Sequence, residues 1–438
     1  MRMRDIIVIV LAIGLIGFGA MSSLLSMRGT ARRAALYERV VSETDGASER
    51  LRQMAAERIQ HNTPTERLGP RIQPPEGQET IDSKFWALFK TRPQELEILC
   101  TPESSQSAED RAWIAQMRAL ATEFRDMLTA EPFPDLSEDD FASAAYLLQD
   151  HACQSLAAGD SDAALEDLTL IGALMPRCVQ QHPVVGYVHS SLSSVYIGIL
   201  RALLARQAPS GDALRACISP LDNMNFLTNY PDHFANKKLQ AVMMFKDWED
   251  TGFVESVESS GVYWGTRNWL WTNAAGPLYS RDVETYMDYC DQLHAATTIP
   301  YPEAAPTLAR LRKELAELGP TYNDTRMLAY ELRRYDASVT RQQESRLIAL
   351  AGQIVLAHET TGAYPQSLDT LGPETAPKRL DLFTGKALHY QPRPDGSGFR
   401  LTSAGPDGFH PSNDDVILPW PLPDPCGPTL AKPASSWR

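Results

Sequence analysis

Three carboxylates lie close together near the carboxyl end of the chain. Asp407, Asp414 and Asp415 fall within nine residues, and Ser412 and Asn413 lie between them. A calcium ion takes six to eight oxygen ligands in a flexible arrangement. These side chains, together with loop carbonyls, can supply that number, so the segment predicts a Ca²⁺ site.

The same segment can instead be a solvated turn. Asp, Asn, Gly, Pro and Ser are the residue types that build turns. Gly405 and Gly408 permit the backbone conformations that a tight loop needs, whether or not an ion is bound. Residue types and spacing therefore leave both interpretations open.

The sequence contains no familiar catalytic motif. There is no HExxH, GxSxG or P-loop pattern and no Rossmann glycine fingerprint after a strand. His182 and His189 could share a helix face, but Pro183 is expected to start that helix, and single histidines are more often structural than metal-ligating. Asp414 and Asp415 are adjacent, and adjacent residues on a strand point to opposite faces, which disfavours an acid/base pair. The motifs thus indicate no enzyme.

An aromatic-rich region, residues 248–289, is the feature that would favour a hydrolase or a glycan-binding enzyme. Exposed Trp and Tyr side chains stack on sugars or hold a protein partner. Packing in the core is the simpler interpretation of such residues. The aromatic residues concerned are Trp248, Tyr263, Trp264, Trp269, Trp271, Tyr279, Tyr286 and Tyr289.

Composition excludes several other classes of protein. The chain has 438 residues, of which 43% are hydrophobic and 22% charged, and this is globular composition on a chain long enough for more than one core. A net charge of −14 would repel phosphate backbones, so nucleic-acid binding is not expected. Six cysteines lie far apart without a CxxC pair, which leaves both disulfides and buried free thiols open.

The amino-terminal segment from Ile6 to Leu25 is apolar and uncharged, and about 20 such residues cross a bilayer core. It predicts a transmembrane anchor. A cleaved signal peptide is the alternative, because arginines precede the segment and Gly19-Ala20 is small, but Phe18 occupies a position where cleavage needs a small residue. Arginines flank both ends, so the positive-inside rule is nearly balanced. A single amino-terminal segment predicts a protein of the bacterial inner membrane with a periplasmic soluble body.

Residues 28–80 are predicted to form a juxtamembrane helix and a proline-containing linker. Apolar residues in the helix recur at three- and four-residue intervals, which predicts a solvated helix or, as the alternative, a short coiled coil. Four prolines between residues 62 and 79 mark the linker.

Residues 81–335 are predicted to form an α-helical body. A helix is expected from Ala108 to Leu128, and Ser137 is expected to cap the next one. The buried stripe of a later helix is predicted at Val188, Leu192, Val195, Ile199 and Leu203.

One part of this body resembles the turn and second helix of a tetratricopeptide repeat. Gly159 is expected to end one helix, Ala164 to let the next pack closely, and Pro176 to end that second helix. Only one copy is evident. The sequence therefore predicts an array of helical hairpins, tetratricopeptide-like in part, and not a repeat solenoid.

Residues 336–420 change from a helical to a mixed pattern. A helix runs to about His358. Ala387–Gln391 and Gly398–Ser403 alternate as short strands, and the Pro394-Asp-Gly-Ser-Gly segment between them is a hairpin signal. This pattern predicts a small α+β domain, followed by a flexible tail at residues 421–438.

The carboxyl-terminal segment resembles the globular head of the major pseudopilin of type II secretion. The resemblance covers about residues 346–418. In that family the terminal loop binds Ca²⁺, and the matching positions here are Asp407, Asp414 and Asp415. The shared features are the long helix, Tyr364-Pro365 with Ser367-Leu368, the loop from Asp381 to Gly385, the small sheet, and a Gly-Pro-Asp-Gly loop that closes on Asp414-Asp415-Val416-Ile417.

The architecture as a whole is similar to a group of uncharacterised bacterial membrane-anchored proteins that join an α-helical body to such a head. Two features depart from pseudopilins: the anchor lacks the peptidase-processed Gly-Phe-Thr-Leu-x-Glu type motif, and a long body separates it from the head. Assembly into a pilus-like fibre is therefore not expected.

These observations predict a mainly α protein with an anchor in residues 1–27 and a pseudopilin-like α+β domain at the other end. The predicted function is that of a membrane-tethered cell-envelope scaffold or interaction protein, with Ca²⁺ as its candidate cofactor and protein partners that the sequence does not identify. The alternatives are an envelope hydrolase or glycan-binding enzyme that uses residues 248–289, and an accessory component of a type II secretion-like apparatus.

Overall fold

The protein is mainly helical and carries a small antiparallel sheet near its carboxyl end. The predicted anchor at residues 6–25, the connector at 62–79 and the tail beyond residue 422 lie outside the described residues. Among the described helices, none combines the length and the apolar character that crossing a membrane requires. A computed structural model describes residues 31–44, 49–61, 80–91, 107–130, 133–134, 136–181, 186–206, 209–224, 226–227, 230–251, 276–318 and 323–422.

The helices and strands are numbered here in chain order. The α-helices are α1 (described over 31–43), α2 (Glu49–His61), α3 (Ile81–Lys90), α4 (Ala108–Thr129), α5 (Glu138–Ala158), α6 (Ser161–Gln181), α7 (Gly186–Arg206), α8 (Gly211–Asn223), α9 (Tyr230–Thr251), α10 (Gly276–Thr297), α11 (Tyr301–Glu317) and α12 (Asn323–Thr361). Two 3₁₀ helices, Leu368–Thr370 and Pro373–Arg379, precede strands β1 (His389–Pro392), β2 (Phe399–Ser403) and β3 (Val416–Trp420).

The chain divides into two compact units. Unit 1 contains Met1–Gly69 and Asn229–Tyr335, and unit 2 contains Pro70–Thr228 and Asp336–Arg438. The predicted boundary at residue 336 coincides with a limit between the units. Residues 70–228 belong to the same unit as the carboxyl-terminal segment.

Two serines begin α4 and α5 in the same way. The hydroxyls of Ser107 and Ser137 accept hydrogen bonds from the backbone N–H groups of Asp110 (3.0 Å) and Asp140 (3.1 Å). The aspartate carboxylates accept the serine N–H groups in return, at 2.8 and 3.2 Å. This reciprocal cap satisfies donors that a helix start leaves unpaired. The predicted cap at Ser137 and the predicted helix from Ala108 are confirmed.

The α5–α6 corner follows the predicted pattern at its start but not at its end. Gly159 ends α5 with φ +83°, a conformation that glycine adopts without steric cost, and Ala164 is fully buried. The prediction that Pro176 ends the second helix is wrong, because α6 continues to Gln181. The fixed φ of proline is compatible with a helix. Burial of Met175 and Cys178, which lie on either side of Pro176, offsets the free-energy cost of the backbone hydrogen bond that proline cannot donate.

The helices α1 and α2, which fall in the predicted juxtamembrane helix, pack into unit 1. The prediction of a solvated helix is therefore wrong, because its apolar stripe covers the unit's own core instead of facing water. The helix α2 packs on α9. The buried residues are Leu36, Tyr37, Val40 and Val41 on α1, and Leu51 and Ala55 on α2.

Consecutive helices pack closely in unit 2. Each of α5, α6 and α7 packs on the other two, and α8 packs on α6. Four of the five residues predicted for the buried stripe of α7 are buried, and the side chain of Val188 lies outside the described residues. The four are Leu192, Val195, Ile199 and Leu203.

Two adjacent glutamines of α12 bind irregular backbone in unit 2. The buried Gln342 accepts a hydrogen bond from the Phe226 N–H (2.8 Å) and donates one to the Met224 carbonyl (2.9 Å). Gln343, also buried, accepts from the Leu382 N–H at 2.8 Å. Backbone groups that are buried outside helices and strands need such partners, so α12 holds both segments in place.

The sheet has the order β1-β2-β3 with antiparallel neighbours. The two predicted strands correspond to β1 and β2, and Leu401 lies opposite Tyr390 on one side and Leu418 on the other. The third strand was not predicted. Pro392 lies in β1 and Pro419 in β3.

A buried carboxylate connects the sheet to the loop before it. Asp381 accepts hydrogen bonds from the N–H groups of Phe383 (2.8 Å) and Ala404 (2.7 Å). Because Ala404 directly follows β2, the loop and the end of the strand are held together.

Phe399 lies at the centre of an aromatic cluster on this sheet. Its ring centroid is 5.3 Å from Tyr364, 5.8 Å from Tyr390 and 5.9 Å from Trp420.

Phe399→Ala is expected to lower the free energy of unfolding by about 3–5 kcal/mol, because it leaves a cavity in a packed core. Denaturant unfolding followed by circular dichroism measures the change. Phe409→Ala is the matched control: its ring is 74% exposed, so a change below about 0.5 kcal/mol is expected. Equal effects of the two substitutions would contradict this packing.

Candidate functional site

The terminal loop between β2 and β3 holds the three predicted calcium ligands. Its glycines adopt positive φ, +66° at Gly405 and +71° at Gly408. Asp407 accepts a hydrogen bond from the Phe409 N–H at 2.7 Å, and its own N–H donates to Asp414 at 2.9 Å. The loop therefore closes on itself through its carboxylates.

Ser412 and His410 engage the remaining carboxylate oxygens. The Ser412 hydroxyl lies within hydrogen-bonding distance of both Asp414 and Asp415. The His410 Nδ1 lies 2.6 Å from Asp415 Oδ2. Asp414 and Asp415 thus converge on one hydroxyl, and the prediction that they point to opposite faces is wrong because they precede β3 instead of lying in it.

The hydrogen bonds keep both carboxylates ionised. Burial acts to raise the pKa of Asp414 and of Asp415, but the bonds from Ser412, from the Asp407 N–H and from His410 outweigh it, so each pKa lies below its usual range.

These carboxylates do not form an open oxygen cage. Five of the six carboxylate oxygens of Asp407, Asp414 and Asp415 accept hydrogen bonds within the loop. Over the whole described part of the chain, no three His, Cys, Asp or Glu side chains lie together in a way that could hold a metal ion. A calcium ion bound by these three carboxylates would have to displace Ser412 and His410 from Asp414 and Asp415.

The loop brings together a pair of histidines that the sequence did not single out. His410 reaches the edge strand β1, where the centroid of its ring lies 4.2 Å from that of His389, with the planes tilted by 34°. No spacing rule connects these positions, because the contact depends on how the loop folds over the end of β2.

A buried ion network links α4, α5 and α6. Arg125 donates to Asp167 through Nε (2.8 Å) and Nη2 (2.5 Å), and His151 Nδ1 lies 2.7 Å from the other oxygen of Asp167. A histidine beside a carboxylate can act as a general base. Here the carboxylate is fully buried and already paired with Arg125, so the network serves to join the three helices.

A second network lies in unit 1 around Glu331. His233 Nε2 lies 3.1 Å from Oε2 of Glu331, Lys237 Nζ lies 2.9 Å from Oε1, and Arg334 Nη1 lies 3.4 Å from Oε2. Burial alone would raise the pKa of Glu331. The hydrogen bonds and charges of His233 and Lys237 outweigh it and lower the pKa to about 2.

A cavity of about 610 Å³ lies among α1, α9 and α10. Its charged walls pair with one another: Arg32 binds Glu284 through two bonds, at 2.5 and 2.8 Å, and Lys238 binds Asp291 at 2.6 Å. Charges of both signs that neutralise each other do not select a ligand class.

Other predicted candidates are buried or lie outside the described residues. Of the aromatic-rich region 248–289, the described side chains of Tyr286 and Tyr289 are buried. The side chains of the other named aromatics lie outside the described part of the chain. His182 and the side chain of His189 lie outside as well.

The described cysteines are free thiols in poor settings for nucleophilic chemistry. Burial raises the pKa of Cys153 and of Cys217 to about 11, and burial also raises the pKa of Cys290. A thiol that stays protonated is neither a nucleophile nor a good metal ligand. The described cysteines, none of which forms a disulfide, are Cys153, Cys178, Cys217 and Cys290.

Helix α3 presents aromatic side chains to solvent. Trp86 is 47% exposed and Phe89 37% exposed, whereas Phe85 on the same helix is buried. The three rings contact one another, with centroids 5.4–5.7 Å apart. This surface was not predicted from the sequence, because residue type alone does not show which hydrophobic side chains of α3 face a core and which face solvent.

No family model, curated protein or solved structure matches this chain. The resemblance to a pseudopilin head therefore stays a prediction, based on the residues and motifs of the carboxyl-terminal segment.

Glu331→Gln tests the network in unit 1. The substitution is expected to lower the free energy of unfolding by about 3 kcal/mol at pH 7, because the pKa falls from an ordinary 4.5 to about 2 and one pKa unit corresponds to about 1.4 kcal/mol. A lowered pKa stabilises the fold above the unfolded value, so the difference between wild type and variant should shrink from pH 4.5 towards pH 2. Unfolding titrations at several pH values measure it.

Glu317→Gln is the control for this series. Glu317 is exposed on α11 and lies 4.0 Å from Lys313, and a surface pair of this kind contributes about 0–1 kcal/mol. A difference between Glu331→Gln and wild type that stays constant with pH would contradict the assignment.

Proposed function

We propose that this chain is a membrane-tethered interaction protein of a bacterial cell envelope, and that it binds a protein partner through Trp86 and Phe89 of α3. The observation that carries the proposal is the exposure of this aromatic pair on a helix that is otherwise firmly held. Tryptophan and tyrosine are the aromatic residues most enriched in binding hot spots, and large rings supply contact area at a low entropy cost.

The contacts of α3 explain how so short a helix can present a rigid surface. A helix of 10 residues is marginal by itself in water. Its Asp82 N–H donates to Asp140 (2.9 Å), and the Ser143 hydroxyl donates to the Asp82 carboxylate (2.8 Å). At the other end, the Trp113 indole donates to the Leu88 carbonyl at 3.1 Å. A preorganised surface loses little freedom on binding.

The helices beside α3 support a scaffold role. The mutual packing of α5, α6 and α7, with α8 on α6, is consistent with the predicted array of packed helical hairpins. Stacked helical hairpins commonly serve as binding surfaces. The described ion networks around Asp167 and Glu331 join helices to one another.

Three further interpretations stay proposals. A hydrolase or glycan-binding enzyme would depend on the part of residues 248–289 that lies outside the described residues. An accessory role in a type II secretion-like apparatus, and calcium binding by Asp407, Asp414 and Asp415, rest on the resemblance of the carboxyl-terminal segment.

Membrane attachment is tested by extraction of the full chain from cell membranes. The protein should resist alkaline carbonate, and a variant without residues 6–25 should be soluble, because the segment is about as long as a bilayer core requires. Mass spectrometry of the amino terminus provides the control, since a signal peptide would be removed and an anchor kept. A soluble mature protein that starts after residue 20 would overturn the anchor.

The aromatic surface is tested by site-specific photocrosslinking in membranes of the source cell. A photoreactive residue at position 87, where the exposed Ala87 lies between Trp86 and Phe89, is expected to capture one defined partner. The double substitution Trp86→Ala with Phe89→Ala should weaken binding of that purified partner roughly 30-fold, because truncating a hot spot costs about 2 kcal/mol or more. The double variant should stay folded by circular dichroism, with a lowered thermal midpoint because both rings contact the buried Phe85.

The matched control removes exposed apolar surface elsewhere. Met327 is 60% and Tyr330 47% exposed on α12, so Met327→Ala with Tyr330→Ala should leave partner binding unchanged. Equal loss in both double variants, or undiminished binding in the α3 variant, would overturn the assignment of α3.

A further inference from the structure

We propose that His389 and His410 form a surface site for a divalent transition-metal ion of the zinc type. The two imidazole rings lie with centroids 4.2 Å apart, one on the edge strand β1 and the other on the β2–β3 loop. This site is independent of the proposed partner surface on α3.

The hydrogen bond between His410 and Asp415 prepares one ligand. The His410 Nδ1 lies 2.6 Å from a carboxylate oxygen of Asp415, whose side chain is only 3% exposed. This contact holds the ring through Nδ1 and leaves Nε2, the other nitrogen, to bind an ion. Histidines that bind metal almost always donate their other N–H to a carboxylate, a carbonyl or water, which fixes the ring and raises its basicity.

His389 supplies the second ligand. The ring is exposed on β1, and neither of its nitrogens hydrogen bonds to any described residue. The Nε2 of His410 likewise has no partner among the described residues. Two unengaged imidazoles held next to each other at the surface are accessible both to an ion and to the water molecules that would complete its coordination.

The chemistry of the donors selects the kind of ion. Imidazole nitrogen suits zinc, copper and nickel, whereas calcium prefers oxygen. A zinc–nitrogen bond is about 2.0–2.1 Å long, so neighbouring rings can both reach one ion after small side-chain rotations. No third His, Cys, Asp or Glu of the described residues joins the pair in a metal-binding group. The ion is therefore held by two protein ligands and connects β1 to the terminal loop.

Zinc titration of the metal-free full chain in detergent, followed by calorimetry, tests the site. One saturable zinc ion per chain is expected, and His389→Ala and His410→Ala should each weaken its affinity at least tenfold. Asp415→Asn should weaken it about 10–100-fold, as is typical when the carboxylate partner of a metal-binding histidine is lost. Saturating zinc should raise the thermal midpoint of the wild type but not that of His389→Ala, because only the state that binds is stabilised.

Three comparisons decide the outcome. His358→Ala removes another imidazole of unit 2, one that stacks on Tyr364, and should leave the affinity unchanged. Circular dichroism of His389→Ala should match the wild type, because the side chain is exposed. The site would be overturned if His389→Ala bound zinc as tightly as the wild type, or if His358→Ala weakened zinc binding as much as His389→Ala does. Displacement of zinc by an equal concentration of Ca²⁺ would also overturn it.

Discussion

Buried backbone groups that lie outside helices and strands must be hydrogen-bonded, and the carboxyl-terminal part of unit 2 depends on how α12 meets this requirement. Gln343 accepts the Leu382 N–H, which fixes the loop in which Asp381 lies. Asp381 in turn accepts the Ala404 N–H at the point where β2 ends and the terminal loop begins. One series of hydrogen bonds thus runs from the long helix to the loop that places His410 beside His389.

Buried carboxylates also need partners, and in each unit a buried carboxylate is paired with several charged side chains. Asp167 and Glu331 each lose hydration, and each regains interaction energy from several partners at once. Breaking such a group by removing one partner costs more than an exposed pair contributes. These networks therefore fix how helices pack in each unit. The terminal loop between β2 and β3, in contrast, carries polar side chains that solvent and ions can reach.

Local sequence signals predicted local structure well. Ser137 with Asp140, Gly159, and the turn around Asp395-Gly396 act within a few residues, and each appears where its chemistry requires. Packing between distant segments was not predictable in this way. The continuation of α6 past Pro176 depends on tertiary burial, since local propensity opposes it.

The candidate sites, like the fold, were predictable only where their residues are close in sequence. The terminal loop was visible because its carboxylates are close in sequence. Arg125 lies 42 residues from Asp167 along the chain, and His233 lies 98 residues from Glu331. The histidine pair exists only after the loop has folded across β2. An exposed aromatic such as Trp86 is indistinguishable in sequence from its buried neighbour Phe85 until the helix is docked.

The two outer strands of the described sheet, β1 and β3, each contain a proline. Proline has no N–H to offer an incoming strand, and natural proteins use it to protect open sheet edges. Pro419 lies between residues paired with β2, so it interrupts the row of donors on the outer side of β3. The prolines of β1 and β3 therefore disfavour polymerisation of copies of this chain by extension of one another's sheet.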